Sequence, residues 1–152
     1  VSREGVYGAA EAMFRRWDGL CIVGSRNFAG ETRAAGRARA WVRDLLSAHR
    51  VRGEVLDTVT LLVSEVVTNS VLHSDSGSDP EGVIIVVVGL GNGGIHIEVI
   101  DQGSAVNVPK IRPAEAESLS GRGLDWVDSL SDGWGSDHDK EMGRAVWFRV
   151  KT

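Results

Sequence analysis

Cysteine is almost missing from this chain: Cys21 stands alone among 152 residues. That excludes an intrachain disulfide and a thiolate metal cluster, and it fits a reducing interior, so a cytoplasmic address is expected. Basic charge is in deficit too. A formal charge of −4 and a pI near 5.5 leave no electrostatic footprint for nucleic acid, and no direct nucleic-acid contact is expected. No uninterrupted apolar run approaches the roughly 18 residues of a spanning helix; the strongest, residues 83–90, has the length of a strand, so no membrane role is expected. The chain begins at Val1 rather than Met, which gives the lack of a signal peptide little weight. His49, His73, His96 and His138 lack metal-ligand spacing, no nucleophile elbow occurs, and the lysine with serine or threonine of a P-loop is absent. These histidines read as structural or surface residues.

What is present is apolar material, 42% of residues, enough for one domain with a proper core in a chain too short for two. Residues 1–19 carry scattered apolar groups (Val6, Tyr7, Met13, Phe14, Trp17) with no sustained period, and read as an ill-fixed arm before a domain over 20–152. Leu20 to Phe28 holds a strand candidate. From about Glu31 to His49, Ala34, Ala38, Trp41, Val42, Leu45 and Leu46 recur at three and four, the mark of one buried helical face. A second helix is expected from about Glu54 to His73, pairing with the first on one face of a sheet.

A turn cluster at 75–80 precedes the β-branched run Gly82 to Leu90, which predicts a central strand covered on both faces. Gly91-Asn-Gly-Gly94 predicts a hairpin turn and Ile95 to Ile100 its partner strand. Val106 to Ser120, with Pro109 and Pro113, reads as a loop; Gly123 to Leu130 as a short helix; Ser131 to Ser136 and Gly143 to Val150 as a closing hairpin. The expected class is an α+β two-layer sandwich with helices on one face of a mostly antiparallel sheet.

Within the second helix, Val55, Leu56, Val59, Leu62, Val63, Val66 and Val67 share one arc at about 100° per residue. Glu65 and Asn69 lie one turn apart just outside its edge, flanked by Leu61 and Leu72, which suits residues at a pocket mouth. A carboxylate beside an oxygen ligand fits a general base next to Mg²⁺. The plain alternative is a surface glutamate and a border amide. Asp101 follows the strand residue Ile100; ionised, it only accepts hydrogen bonds and could take the exocyclic amine of adenine, with Gly103 letting a base approach the backbone. Its plain alternative is an Asx-type turn. Gly121-Arg122-Gly123-Leu124 opens a helix whose unpaired amides could cradle phosphates, or it is a flexible loop at a helix start. Arg33, Arg37, Arg39, Arg43, Arg50 and Arg52 read as a solvated face; in a functional role they would meet an acidic protein.

In that order along the chain, Ser64-Glu65 to His73, Asp101-Gln-Gly103, Gly121-Arg-Gly-Leu124 and Gly143-Arg-Ala-Val-Trp-Phe148 resemble the N box, the two glycine boxes and the tail of the histidine-kinase-like (GHKL) ATPases. Within that superfamily they resemble the small anti-sigma factors that act as serine/threonine protein kinases, over about residues 28–150. The resemblance implies a Bergerat-type ATP-binding fold. It also implies that ATP and Mg²⁺ are bound, with Asn69 helping hold the metal and Glu65 deprotonating the attacking hydroxyl. Asp101 would read adenine, with Gly103 beside it, and Gly121, Arg122, Gly123 and Leu124 would belong to the lid over the phosphates. The implied partners are a sigma factor and an anti-sigma antagonist protein. Because family members often dimerise, a homodimer is among the expected assemblies.

This chain departs from the pattern at Ala105, where a second glycine is usual, and at Gly143-Arg144, where Gly-Thr is frequent and a hydroxyl would contact a phosphate. The 106–120 loop is also short for a lid. Those departures bear more on turnover than on binding, and keep a non-catalytic binding module as an alternative. A detached histidine-kinase catalytic domain is a weaker one, since the residues before Phe28 are too few for the helical hairpin that carries the phosphoacceptor.

Overall fold

The computed structural model describes residues 16–74, 77, 79, 81–103, 125–139 and 143–152. Strand β1 (Leu20–Ala29) leads into helix α1 (Ala34–Ala48) and helix α2 (Gly53–His73). Strands β2 (Val83–Gly91), β3 (Gly94–Asp101), β4 (Gly133–Asp139) and β5 (Gly143–Lys151) complete a five-stranded sheet of order β1-β2-β3-β5-β4. All four ladders are antiparallel. The β2–β3 turn forms where the Asn-Gly pair predicts it: Asn92 and Gly93 both take positive φ, 54° and 72°, the backbone of a two-residue hairpin.

One face of the sheet carries both helices. Ile84, Val86 and Val88 of β2, Ile95, Ile97 and Val99 of β3, and Val146, Phe148 and Val150 of β5 meet Ala38, Val42 and Leu46 of α1 and Leu56, Val59, Leu62, Val63, Val66 and Val67 of α2. Every second strand residue faces the helices, so the strand period of two and the helix stripe of three to four bury a single core. Trp41 and Leu45, expected on the buried stripe of α1, are only partly buried and rest against its edge. By length and composition alone α2 could cross a bilayer; here its apolar side is taken up by α1 and the sheet. Residues 125–130 are helical and insert Val127 into the same core.

The expectation that β2 is covered on both faces fails. Its outward residues Ile85 and Val87 are only half-buried and Val83 is 39% exposed, because both helices lie on the opposite side. The other half of that outer face is closed differently. Arg16 and Trp17, the described end of the segment read as an ill-fixed arm, lie across it. The Trp17 ring fills the notch left by Gly89, where a Cβ would stand 2.4 Å from the ring. Beneath them His96 and Glu98, alternating with apolar residues on β3, are fully buried.

Candidate functional site

Asn69 occupies the last turns of α2 and is buried, 8% exposed, while Glu65 one turn earlier is half-buried. The helix hydroxyls around them turn inward on their own backbone, Ser64 donating to the Leu61 carbonyl at 2.8 Å and Thr68 to that of Ser64 at 2.7 Å. Glu65 forms no hydrogen bond or ion pair among the described residues.

Asp101 ends β3 on the helix-facing side, the alternation that places Ile97 and Val99 there. It is 3% exposed. Its Oδ1 accepts the Gly103 amide at 2.7 Å, which makes an Asx-type turn and fixes the carboxylate from below. Gly103 itself has φ +66°, a conformation that calls for glycine, and a Cβ there would stand 2.8 Å from Cε1 of the exposed His138 ring, which would have to shift. His138, read from the sequence as a structural or surface residue, therefore stands beside this turn.

The two ends meet on one side chain. Arg144 is paired with Asp101 across the β3–β5 ladder, so the two project on the same face. Its Nε and Nη2 donate to Asp101 Oδ2 at 3.2 and 2.9 Å, and Nη2 also donates to Asn69 Oδ1 at 3.1 Å. The guanidinium thus ties the end of α2 to the end of β3, residues 32 positions apart in the chain. The sequence marked Arg144 only as a missing hydroxyl; the structure places it against the Asp101 and Asn69 side chains. Opposite charges at facing positions of adjacent strands were the signal that could have found it.

Gly121, Arg122, Gly123 and Leu124, and the 106–120 loop, lie outside the described residues. The described residues include no cluster of three or more His, Cys, Asp or Glu side chains able to hold a metal. The donor set around Asn69 is nonetheless one of hard oxygens, an amide carbonyl with a carboxylate one turn away. That chemistry fits Mg²⁺ bound mainly through substrate phosphates and water.

On the outer face the sequence reading missed a second polar cluster. Glu98 accepts Arg16 Nε at 2.8 Å and Trp17 Nε1 at 3.0 Å, and His96 Nε2 stands 3.7 Å from its Oε1. Arg16 also pairs with Asp137, and Arg149 donates to His96 Nδ1 at 3.0 Å and to the Arg16 carbonyl at 2.7 Å. Burial would raise the Glu98 pKa, but the nearby His96 ring, hydrogen bonds from Arg16 and Trp17 and the Arg16 charge together hold it below the ordinary carboxylate value. Its signal in the sequence is two polar residues, His96 and Glu98, inside a strand of buried apolar ones.

A family model described as the histidine kinase-like ATPase domain matches residues 28–150. Among solved structures, the RsbU and RsbW domains of Rv1364c from Mycobacterium tuberculosis superpose with a TM-score of 0.63 at 20% identity, over 84% of this chain and 32% of that one. The chain therefore spans about a third of the length of that relative. No curated protein matches.

Proposed function

The chain belongs to the histidine kinase-like ATPase family, and from that premise we propose that it is an ATP-binding regulatory protein that phosphorylates a serine or threonine of an anti-sigma antagonist protein and, in its other complex, sequesters a sigma factor in the cytoplasm. Family membership implies ATP binding; the transfer, the metal, the partners and the address are the proposal. The observation that carries it is the convergence of Asn69 and Asp101 on one guanidinium, with Glu65 one turn from Asn69.

In this reading the adenine amine donates to Asp101, whose fixed, buried carboxylate selects a base that offers a donor there. Asn69 would hold Mg²⁺, which when bound neutralises phosphate charge. Glu65 takes the proton of the attacking hydroxyl as its oxygen bonds to the terminal phosphorus and the bond to the departing ADP breaks. Gly121, Arg122, Gly123 and Leu124 would close over the phosphates. A positioned base contributes roughly 10²- to 10⁴-fold, so Glu65→Ala should abolish phosphate transfer while ATP binding stays within about threefold of wild type.

A radiolabel transfer assay on candidate antagonists, run beside calorimetry with Mg-ATP, tests both halves. Equal labelling by wild type and Glu65→Ala would remove Glu65 from its role; no ATP binding by the folded protein would remove the function. A second reading, a nucleotide-switched binding module that never transfers phosphate, is favoured by the Arg144 contacts to Asp101 and Asn69, and predicts ATP binding with no labelling at all.

A further inference from the structure

We propose that Arg144 is a latch on the nucleotide site: its guanidinium occupies the acceptor that the base must reach, and it competes with the base for Asp101. The inference rests on the nucleotide-binding reading above and adds a residue that sets how tightly the site binds.

Asp101 has two oxygens. Oδ1 is committed to the Gly103 amide at 2.7 Å, and Oδ2 receives both Arg144 donors at 3.2 and 2.9 Å. An exocyclic amine approaching this carboxylate offers the same chemistry that Arg144 already supplies, an N–H donor, so one replaces the other. The guanidinium itself does not titrate, since it keeps its charge at any accessible pH. Movement releases the latch. Asp101 has a fully buried side chain, whereas that of Arg144 is 22% exposed. The long arginine stem lets the head swing outward while the carboxylate stays in place.

The same Nη2 holds Asn69 Oδ1 at 3.1 Å. A single side-chain swing therefore frees the base acceptor and the amide oxygen at the end of α2 together. Binding is weakened by the fraction of molecules in which the guanidinium is out, because only those are competent. Hydrogen bonds to charged partners are strong enough to hold that fraction to about a tenth or less.

The latch predicts a sign opposite to that of a phosphate contact. An arginine that grips phosphates strengthens ATP binding, so its loss weakens ATP and leaves adenosine unchanged. A latch weakens both ligands, so its loss tightens both. Calorimetry on the full chain with adenosine and with Mg-ATP would compare wild type, Arg144→Ala and Arg144→Lys, with far-UV circular dichroism to confirm folding. Arg144→Ala should bind both ligands about tenfold more tightly, and Arg144→Lys should gain less, since an ammonium lacks the fork that spans Asp101 and Asn69. Unchanged or weaker binding by Arg144→Ala overturns the latch while any wild-type ATP binding leaves the nucleotide reading standing. Binding by none of the three proteins overturns both. If Arg144→Ala fails to fold, Arg144→Lys decides alone: no tightening of adenosine binding sinks the latch.

Discussion

Strand β3 carries two buried carboxylates on opposite faces, and each is met by an arginine at hydrogen-bond distance. Glu98 looks away from the helices and is held by Arg16 at 2.8 Å; Asp101 looks toward them and is held by Arg144 at 2.9 Å. Distance does not separate them. What differs is whether anything from outside could take the arginine's place. Around Glu98 the donors come as a set, Trp17 beside Arg16, and the Trp17 ring meets His96 edge-on at 4.5 Å while Arg16 and Arg149 lie 5.7 and 5.5 Å from the centre of the Trp147 ring. No small ligand reproduces that set. At Asp101 the side-chain donors come from one arginine whose side chain is 22% exposed, and the N–H groups it offers are ones that, in the proposed reading, a nucleobase also offers. One pair pins Arg16 and Trp17 to the sheet; the other, in the proposed reading, holds a place that a ligand takes.

The outer pair should break hardest. Glu98→Ala takes from the Arg16 guanidinium its buried carboxylate and leaves it only the more exposed Asp137, while another of its nitrogens, Nη2, is already buried without a partner among the described residues. Removing one member of a buried pair costs about 3–5 kcal/mol. Urea unfolding at neutral pH should register that loss in the midpoint. ATP affinity, which in the proposed reading depends on the other face, should be unchanged within twofold in the protein that remains folded. A loss below about 1 kcal/mol would put this cluster in the same class as a solvated surface pair.

The contrast between the two faces also marks what could be read in advance. The helix stripes, the hairpin at Asn92-Gly93 and the apolar side of each strand are local periodicities, and they located the seven major elements among the described residues to within a few residues. Asn69 and Asp101 were also legible, since a polar residue at the edge of an apolar stripe and an aspartate at a strand end are local signals. The rest is a matter of long-range pairing. Nothing near Trp17 in the sequence announces Gly89, and nothing near Arg16 announces Glu98, 82 residues away. Arg144 was noticed as a departure but its contacts depend on the β3–β5 register, which composition does not set. The strand alternation at His96 and Glu98 predicts solvent for both; Arg16 and Trp17, laid across them, are what bury them.

Acid should loosen the outer cluster by a smaller amount. Because the folded state holds the Glu98 pKa below its ordinary value of 4.5, the stabilisation is complete above that value. It is lost as pH falls through the lower folded value, where the carboxylate takes up a proton. Stability measured from neutral pH down through 4.5 should therefore fall more steeply for wild type than for Glu98→Gln, which has no proton to bind. Parallel curves would remove Glu98 from the acid response. The fluorescence change that accompanies the fall should shrink in Trp17→Phe, since that ring sits against the carboxylate.

The smallest effect comes from a third arginine that makes the same contact without burial. Arg43 Nη2 lies 2.8 Å from Asp57 Oδ1, linking α1 to α2, the same separation as Arg16 from Glu98. Their side chains are 47% and 70% exposed, against 12% and 2% for the outer pair. Water competes for both charges, and at about 1 M salt the screening length falls to about 3 Å, shorter than most exposed charge separations. Arg43→Ala should therefore cost no more than about 1 kcal/mol in dilute buffer and close to nothing in high salt. With separation held constant between the two pairs, the difference between this loss and that of Glu98→Ala measures what burial adds to an arginine–carboxylate contact in this protein. A salt-resistant loss at Arg43 as large as the one at Glu98 would erase the distinction.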